Sequence, residues 1–311
     1  MIGNNCADGI LVNGAETTTV SINGNNIGLN SSGAGSHGNT TNGISINGSA
    51  VTTVNIGVVT ATDIGYGKNN IGNNGGDGIN IGTTGGTSGT PANITIANND
   101  IGFNLTSTFS NVRNGIDLES TAGVQNVTIG TNGDGTNDAS EQNIIGRNNT
   151  AGVNNSRGEI ALIKGVKTLT VAGNVITGGT LGSHGVVVNA TDANLSSVTI
   201  GGDDCSTSAA ATNNSSNERN HFPGIKGDAV SVRDVGTGTP ATADVTIQCN
   251  TFGYTAIGTA NANSQNGINI IEADQIVIKN NTISNSTLAG ATITGGSKLE
   301  VYGNKFGTTK D

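Results

Sequence analysis

Charged side chains are scarce in this sequence, and their densest cluster lies between residues 201 and 234. The cluster contains an adjacent carboxylate pair, Asp203 and Asp204, followed by Arg219, Lys226 and Asp228. Paired carboxylates serve as general acid and general base in the cleavage of glycosidic bonds. An enzyme built on this cluster would use Asp203, Asp204, Arg219 and Asp228 as catalytic residues. These side chains would then have to converge in an open acidic groove.

A second candidate is a calcium site in the segment 132–141. Side chains with oxygen ligands recur there at alternate positions around two glycines: Asn132, Asp134, Thr136 and Asp138, with Glu141 shortly after. Ca²⁺ takes about six to eight oxygen ligands from flexible loops of this kind. The spacing departs from that of an EF-hand, so a solvated polar turn remains the alternative. Ca²⁺ is the one cofactor that the sequence suggests.

The three histidines do not suggest a metal site. His37, His184 and His221 lie far apart in the sequence and follow no metal-ligand spacing. His221 occupies the middle position of an Asn-x-Phe triplet, which predicts that its side chain points outward. We therefore expect a structural role at the surface for all three.

These candidates are carried by a repeat with three parts. Strand A is an apolar–any–apolar triplet, whose alternation directs its outer residues to one side. Element B is an Asn two residues before an Ile or Phe. Strand C alternates again and is commonly opened by Asn-Gly or Asp-Gly. The copies of strand A begin at residues 20, 54, 94, 127, 169, 198, 245, 276 and 299, and those of strand C begin at 10, 44, 79, 116, 160, 186, 230, 268 and 291.

The asparagines of element B form the most regular column of the sequence. They are Asn25, Asn69, Asn99, Asn143, Asn174, Asn220, Asn250, Asn281 and Asn304. Short strands at such repeated spacing, with no helical pattern between them, predict a solenoid in which equivalent strands stack. A buried amide column is stable when each amide bonds to its copy in the next coil. We therefore predict an asparagine ladder.

With this repeat, the sequence resembles right-handed parallel β-helices of the pectate-lyase-like kind. Segments 127–149 and 266–270 resemble the β-helix repeats of large bacterial surface and secreted proteins. The resemblance covers residues 9–306 and implies an all-β solenoid of about nine coils, each of three short strands, in a single domain spanning residues 1–311. Because this fold hosts lyases, hydrolases, adhesins and fibres, the resemblance leaves the function open.

The sequence lacks the order of site residues that is expected for the enzymes implied by this resemblance. A polygalacturonase-like site implies an aspartate pair, then His-Gly, then Arg-x-Lys, on consecutive coils. Asp203 and Asp204 match the pair, but His184-Gly185 precedes it, and Gly224-Ile225-Lys226 stands where an arginine is needed. A pectate-lyase-like site implies an arginine base beside acidic Ca²⁺ ligands, and only Arg233 lies in a predicted strand. Catalysis by either route is therefore disfavoured.

Composition sets further limits. The net charge is −9 and no cluster of basic residues occurs, which excludes nucleic acid and anionic membranes as partners. No apolar stretch is long enough to span a membrane. Aromatic residues make up 3% of a chain that contains 50 glycines. Such a composition is typical of disorder, but the regular Ile and Val columns predict a folded core.

One pair of cysteines fits a disulfide. Cys205 and Cys249 follow strand A in adjacent coils, so their Cα atoms would fall within bonding range. A disulfide would imply an oxidising compartment. Two separate thiols are the alternative, and Cys6 is free in either case.

The two ends of the sequence carry no recognisable cap. Met1 leads directly into strand C without a leader peptide, and the repeat stops after element B at Phe306. Because solenoids need protected edges, this predicts a segment of a longer chain or a unit whose ends meet another copy.

The predicted function is a non-catalytic, extracellular or cell-surface module that serves adhesion, a matrix or a fibre. Its expected partner is itself, end to end, or a polysaccharide of the cell surface or matrix. Nucleic acid and membrane insertion are not expected. The alternative is a polysaccharide lyase, a glycoside hydrolase or a carbohydrate-binding module.

Overall fold

A computed structural model describes most of the chain. The described ranges are 1–13, 19–33, 35–47, 52–57, 67–82, 93–133, 138–150, 157–178, 183–189, 195–205, 218–233, 243–254 and 261–307. The side chains of residues 121–123 and 139 lie outside this description. Within these ranges the chain forms 25 strands and one short helix, α1 (Asp138–Glu141). No described helix has the length and apolar character needed to cross a lipid bilayer.

The strands build three faces, one for each part of the repeat. Face A contains the copies of strand A: β2 (Thr19–Ile22), β5 (Thr53–Ile56), β8 (Asn93–Ile96), β15 (Ser197–Ile200), β18 (Asp244–Gln248), β21 (Gln275–Lys279) and β24 (Lys298–Tyr302). Face C contains the copies of strand C: β1 (Ile10–Val12), β4 (Ile44–Ile46), β7 (Ile79–Ile81), β14 (His184–Asn189), β17 (Val230–Arg233), β20 (Ile268–Ile270) and β23 (Ala291–Ile293). Two long strands, β10 (Ile116–Gly130) and β12 (Gly158–Ala172), contribute their first part to face C and their last part to face A.

Face B is a separate sheet of nine strands built from element B. Its members are β3 (Asn26–Ile27), β6 (Asn69–Ile71), β9 (Asn99–Ile101), β11 (Ile144–Gly146), β13 (Val175–Thr177), β16 (His221–Phe222), β19 (Thr251–Phe252), β22 (Thr282–Ile283) and β25 (Lys305–Phe306). The predicted all-β solenoid of about nine coils is thus confirmed, and in two of these coils the strands of faces C and A are joined into one strand of 15 residues.

Equivalent strands pair in parallel and in register from coil to coil. On face A, Thr95 lies opposite Thr128, which in turn lies opposite Thr170, as the repeat predicts. The register places identical positions of successive coils on the same side of the sheet. Inward and outward side chains therefore form continuous columns along the rod.

The inward columns form one continuous core. On face C, Ile44, Ile79 and Ile116 stack in register, and each is fully buried. Burial of an aliphatic side chain of this size contributes about 1.5–3 kcal/mol. β-Branched residues suit these positions because their restricted χ1 angles fit a pleated, buried surface. The core is therefore linear, and each coil rests on its two neighbours.

At two of the turns where face A ends, the structure requires glycine. Gly130 and Gly201 have φ angles of 96° and 93°. A Cβ atom at Gly201 would lie 1.7 Å from the carbonyl oxygen of Gln248 in the next coil. A side chain is thus excluded both by the backbone conformation and by the close stacking of the coils.

Candidate functional site

The asparagine ladder lies at the corner where face A turns into face B, and it is confirmed along its whole length. Each Nδ2 donates to the Oδ1 atom of the next asparagine at 2.9–3.2 Å, from Asn25 to Asn304. Inner members also donate to strand carbonyls, as Asn143 does to Ile96 at 2.8 Å. The amides of the inner members are thereby satisfied inside a buried corner. Every bond from one asparagine of the ladder to the next is donated toward the C-terminal coil, so the ladder has a direction.

A second asparagine ladder, which the sequence analysis missed, lies at the corner between faces B and C. Asn5, Asn39, Asn74, Asn111 and Asn148 are linked by Nδ2 to Oδ1 bonds of 2.8 Å. The first four stand five residues before the Ile that opens strand C, in the pattern Asn-x-x-x-Gly-Ile. That pattern was a usable signal, but the loops that separate its copies obscured it.

The second ladder ends on a buried carboxyl group. The Nδ2 atom of Asn148 donates to Oε2 of Glu159 at 2.8 Å, and the hydroxyl of Ser183 donates to Oε1 at 3.2 Å. Glu159 has no solvent exposure, and this burial raises the pKa of its carboxyl group to about 7. The carboxyl group of Glu159 is therefore partly protonated and partly ionised at neutral pH.

A third polar column precedes the strands of face C, and we call it the corner column. In its first half, the side-chain oxygen of each member accepts the backbone N–H of the next, at 2.8–3.1 Å, through Asp8, Asn42, Asp77 and Asn114 to Gly158. In its second half, Asp228 N–H donates to Nδ1 of His184, and Asn266 N–H donates to Oδ1 of Asp228. The Asn-Gly and Asp-Gly pairs before strand C are visible in the sequence, but these hydrogen bonds between coils are not.

A groove of about 360 Å³ lies on the outer side of face C, over strands β4, β7 and β10. Its floor consists of Ser45, Asn80 and Asp117, the outward residues of three successive strands in register. One wall is the corner column with Thr41 and Arg113, and the other is formed by Asn47, Gly82 and Glu119. The sequence analysis did not find this groove because its residues lie in separate coils.

Carboxyl groups dominate the electrostatics of the groove. Asp117 is 2% exposed and accepts hydrogen bonds from Asn114 Nδ2 at 3.0 Å and Asn80 Nδ2 at 3.3 Å. Burial, together with the nearby charges of Asp77 and Glu119, raises the pKa of Asp117 to about 7. Burial also raises the pKa of Asp77, against the opposing charge of Arg113. The groove thus contains two neighbouring carboxyl groups, those of Asp77 and Asp117, whose ionisation is disfavoured.

A buried polar cluster occupies the same face further along the rod. Oδ2 of Asp228 lies 3.6 Å from Nδ1 of His184 and 3.5 Å from Nη2 of Arg233. Asn266 and Asn269 donate to its two oxygens at 2.8 and 2.9 Å. Burial and the charge of Arg233 lower the pKa of His184 to about 4, so the ring is neutral at pH 7.

The expected surface role of the histidines is wrong for two of them. His184 is 3% exposed and His221 is 5% exposed. His184 is enclosed because it belongs to the corner column, where side chains stack on the next coil. Strand periodicity predicts which side of a sheet a residue faces, but it does not predict how a corner covers that side.

The proposed catalytic residues do not form one group. Asp203, Asp204 and Arg219 lie at the corner between faces A and B, whereas Asp228 belongs to the corner column beside face C. The guanidinium of Arg219 donates to the carbonyl of Cys205 at 2.8 Å and to the hydroxyl of Thr251 at 3.0 Å. These bonds give Arg219 a structural function in the corner.

The partner of the aspartate pair is Glu218, a residue that the sequence analysis missed. Its Oε2 accepts the backbone N–H of Asp204 at 3.0 Å. Burial raises the pKa of Glu218, and its side-chain contact with Asp203 raises it further. Glu218 directly precedes Arg219 in the sequence. It belongs to no repeated sequence pattern because the loops at this corner differ between coils.

The segment expected to bind Ca²⁺ is only partly described. Asp134 and Thr136 lie outside the described residues. Asn132 is exposed, and its backbone N–H donates to Oε2 of Glu141 at 3.2 Å. Asp138 is buried, and its Oδ1 accepts from the hydroxyl of Thr131 at 2.8 Å. In the part of the chain that is described, no three His, Cys, Asp or Glu side chains converge to hold a metal ion. Calcium binding thus stays a prediction.

Cys205 and Cys249 form a disulfide in the structure, with Cα atoms 4.9 Å apart. They lie after strands β15 and β18, so the bond joins two neighbouring coils at the corner between faces A and B. Cys6 is exposed and free.

Comparison with known proteins agrees with the architecture. Residues 208–311 match the family model described as a right handed beta helix region. Searches of curated proteins and of solved structures found no match. The family match and the stacked parallel strands show that the chain contains a right-handed parallel β-helix. Since this fold supports many functions, the family match alone does not define the role of the chain.

Proposed function

We propose that this β-helix is a non-catalytic structural module of an extracellular or cell-surface adhesin, matrix or fibre, and that its copies associate end to end. The rigid rod itself would be the functional product. The observation that supports this proposal is the apolar edge of the last described coil.

That edge has the residues of a core, and within residues 261–307 no further coil covers them. Leu299, Val301 and Phe306 are 51%, 47% and 46% exposed. Their register partners one coil earlier, Ile276, Ile278 and Ile283, are fully buried. A further coil would bury the edge, at a gain typical of aliphatic and aromatic burial.

The direction of the asparagine ladder supports head-to-tail stacking. Asn281 donates to Asn304, whose Nδ2 bonds to the carbonyls of Ile278 and Tyr302. At the other end, Asn25 donates to Asn69. A second copy stacked by its N-terminal end on the edge at Asn304 would have its ladder run in the same direction. Such a heterologous contact extends into a filament unless rotation closes it.

The disulfide supports an oxidising location. A bond between Cys205 and Cys249 persists where thiols are not kept reduced, as outside the cell. This agrees with an adhesive or fibrous role at the cell surface.

The test is the concentration dependence of mass, measured by sedimentation velocity and light scattering. We expect the protein to form larger species as its concentration rises. Val301→Asp should abolish this association because it places a charge on the apolar edge. Thr246→Asp adds the same charge at an outward position of face A, and it should leave association unchanged.

A strictly monomeric protein over a wide concentration range would refute end-to-end association. Depolymerisation of a polysaccharide panel in the presence of Ca²⁺ provides the matching test of the non-catalytic assignment. Release of new reducing ends or unsaturated uronates would show an enzyme instead.

A further inference from the structure

We propose that residues 1–3 regulate end-to-end association, because they occupy the position on face B that the last strand of a second copy must take. This inference rests on the proposed head-to-tail stacking and adds the step that limits it. It is supported by a further copy of element B at residues 1–3, by the hydrogen bonding of that copy and by the unequal exposure of the two ends of the rod.

Residues 1–3 belong to a copy of element B that the sequence analysis missed. The segment 2–5 repeats the Ile-Gly-Asn-Asn sequence of residues 71–74. Within these two segments, Asn4 and Asn73 have similar positive φ angles, of 60° and 58°. Ile2 pairs in parallel with Ile27 of β3, just as Ile27 pairs with Ile71 of the following coil. Ile2 therefore covers the first coil on face B.

A backbone hydrogen bond holds this segment where the strand of a second copy would lie. Gly28 N–H donates to the carbonyl of Ile2 at 2.7 Å. The same bond recurs between later coils, as from Gly307 N–H to the carbonyl of Ile283 at 2.9 Å. In a head-to-tail stack, the carbonyl of Phe306 is the next acceptor in this series, and Gly28 of the second copy is its donor. Phe306 and Ile2 thus compete for one position, as in the exchange of an identical element between protomers.

The side chain of Phe306 suits the place that Ile2 holds. In a stack it would lie against Ile27 of the second copy. An equivalent contact already exists inside the rod, where Phe252 and Ile283 are register partners and both are fully buried. The exchange therefore replaces one apolar contact on face B with a larger one.

The two ends of the rod differ in exposure. Val20 and Ile22 of β2 are 8% and 6% exposed, whereas Leu299 and Val301, which would contact them in a stack, are 51% and 47% exposed. The N-terminal edge is therefore closed, and it has to open before a second copy can dock. Since only molecules with an open edge can bind, the closed state lowers the apparent affinity of association.

Charge favours contact between unlike ends. Residues 1–28 contain two acidic side chains and no lysine or arginine, whereas residues 291–307 contain two lysines and one glutamate. Contact between unlike ends brings side chains of opposite net charge together, and contact between like ends does not. The N-terminal edge of a second copy is thus the partner that fits the exposed C-terminal edge.

The first test is sedimentation velocity over a range of concentrations. Ile2→Asp places a charge on the inward side of the segment and should release it, so association should begin at a concentration about tenfold lower. Leu11→Asp is the matched control, because Leu11 lies in the same coil but points outward and is 53% exposed. It should leave association unchanged. Combining Ile2→Asp with Val301→Asp should abolish association, which distinguishes docking at the C-terminal edge from non-specific aggregation.

The second test is a disulfide between two copies. One carries Lys305→Cys and the other Asn26→Cys, both in the background of Cys6→Ser. These outward positions become register partners only if β25 of one copy lies beside β3 of the next, and such partners lie about 4.8 Å apart, within disulfide range. Oxidation of the mixture should give the mixed product, identified by mass spectrometry of the linked peptides. Thr246→Cys in place of Asn26→Cys should not give a mixed product, because Thr246 lies in the interior of the rod on face A.

The outcomes separate this inference from the proposed function. If the full chain associates, but Ile2→Asp does not strengthen association and no mixed disulfide forms, regulation by residues 1–3 is refuted and end-to-end association stands. If neither the full chain nor Ile2→Asp associates, both are refuted. If only Ile2→Asp associates and Val301→Asp reverses this, the competition is supported and self-association of the full chain is refuted. Association of the combined variant would refute the inference, since the effect would then be aggregation.

Discussion

At the scale of single residues, the asparagine ladder stabilises the corner through amides that act as donors and acceptors at once. Asn143 accepts from Asn99 and donates to Asn174, in both cases at 2.9 Å, and it is fully buried. Its loss would leave the backbone N–H of Asn99 without its acceptor and the carbonyl of Ile96 without this donor. A buried polar group left unsatisfied costs more than the bond itself contributes.

Replacement of Asn143 by Ala should therefore lower the free energy of unfolding by about 2–4 kcal/mol, since several buried groups lose their partners. Asn25→Ala is the matched control, because Asn25 lies partly exposed in the first coil. That change should cost about 1 kcal/mol or less. Urea unfolding measures both, and equal losses would show that the ladder does not act through burial.

The residues that the sequence analysis found and those it missed differ in a physical way. Asn25 and its copies stand at a fixed distance from strand residues, so their column is visible in the sequence. In the second ladder, Asn39 stands twelve residues after Ile27 of face B, whereas Asn148 stands three residues after Ile145, so this column has no fixed distance from element B. Groups such as His184 are buried by the stacking of corners, which depends on three-dimensional closure and not on the two-residue period of a strand.

At the scale of elements, the link between the second asparagine ladder and Glu159 makes one coil sensitive to pH. The pKa of Glu159 is raised from an ordinary value of 4.5 to about 7. The folded protein therefore holds a proton that the unfolded chain releases between these two values. Stability from this group is present at low pH and is lost as the pH rises through 7.

We expect Glu159→Gln to stabilise the protein by about 1–3 kcal/mol at pH 8 and to change little at pH 4. The glutamine oxygen can accept from Asn148, and its amide can donate to Ser183. Urea unfolding at the two pH values tests this. Glu272→Gln, at a partly exposed position, provides the control. A variant that is less stable than the wild type at pH 8 would show that the carboxylate is required there.

The elements themselves were readable from the sequence. All nine copies of strands A and C lie where the apolar alternation predicts them, because one inward face imposes a strict period. The groove on face C was not readable. Its floor combines outward residues from three coils, and outward positions carry no apolar pattern that would mark them.

At the scale of the whole molecule, each coil contacts mainly the coils before and after it. A solenoid of this kind opens locally, and a bond between two coils protects only its own region. The disulfide between Cys205 and Cys249 joins positions 44 residues apart in neighbouring coils.

Removal of this disulfide by Cys205→Ser with Cys249→Ser should lower stability by roughly 2–4 kcal/mol. The effect should be local. Amide hydrogen exchange should accelerate in strands β15, β16 and β18 but not in β6 and β7, which lie several coils away. Cys6→Ser, at the free and exposed cysteine, is the control. Faster exchange along the entire rod would show that its coils unfold as one cooperative unit.

The corner column also has a consequence for chemical ageing. Asn-Gly sequences lose ammonia when the glycine nitrogen attacks the asparagine side chain and closes a succinimide ring. In the folded rod, the nitrogens of Gly43 and Gly267 instead donate to the carbonyls of Asp77 and Ala289 in the next coil, at 3.0 Å. Ring closure at Asn42 or Asn266 therefore requires a coil to separate from its neighbour. Aspartate that accumulates at these positions would act as a clock, recording how often each part of the rod has opened.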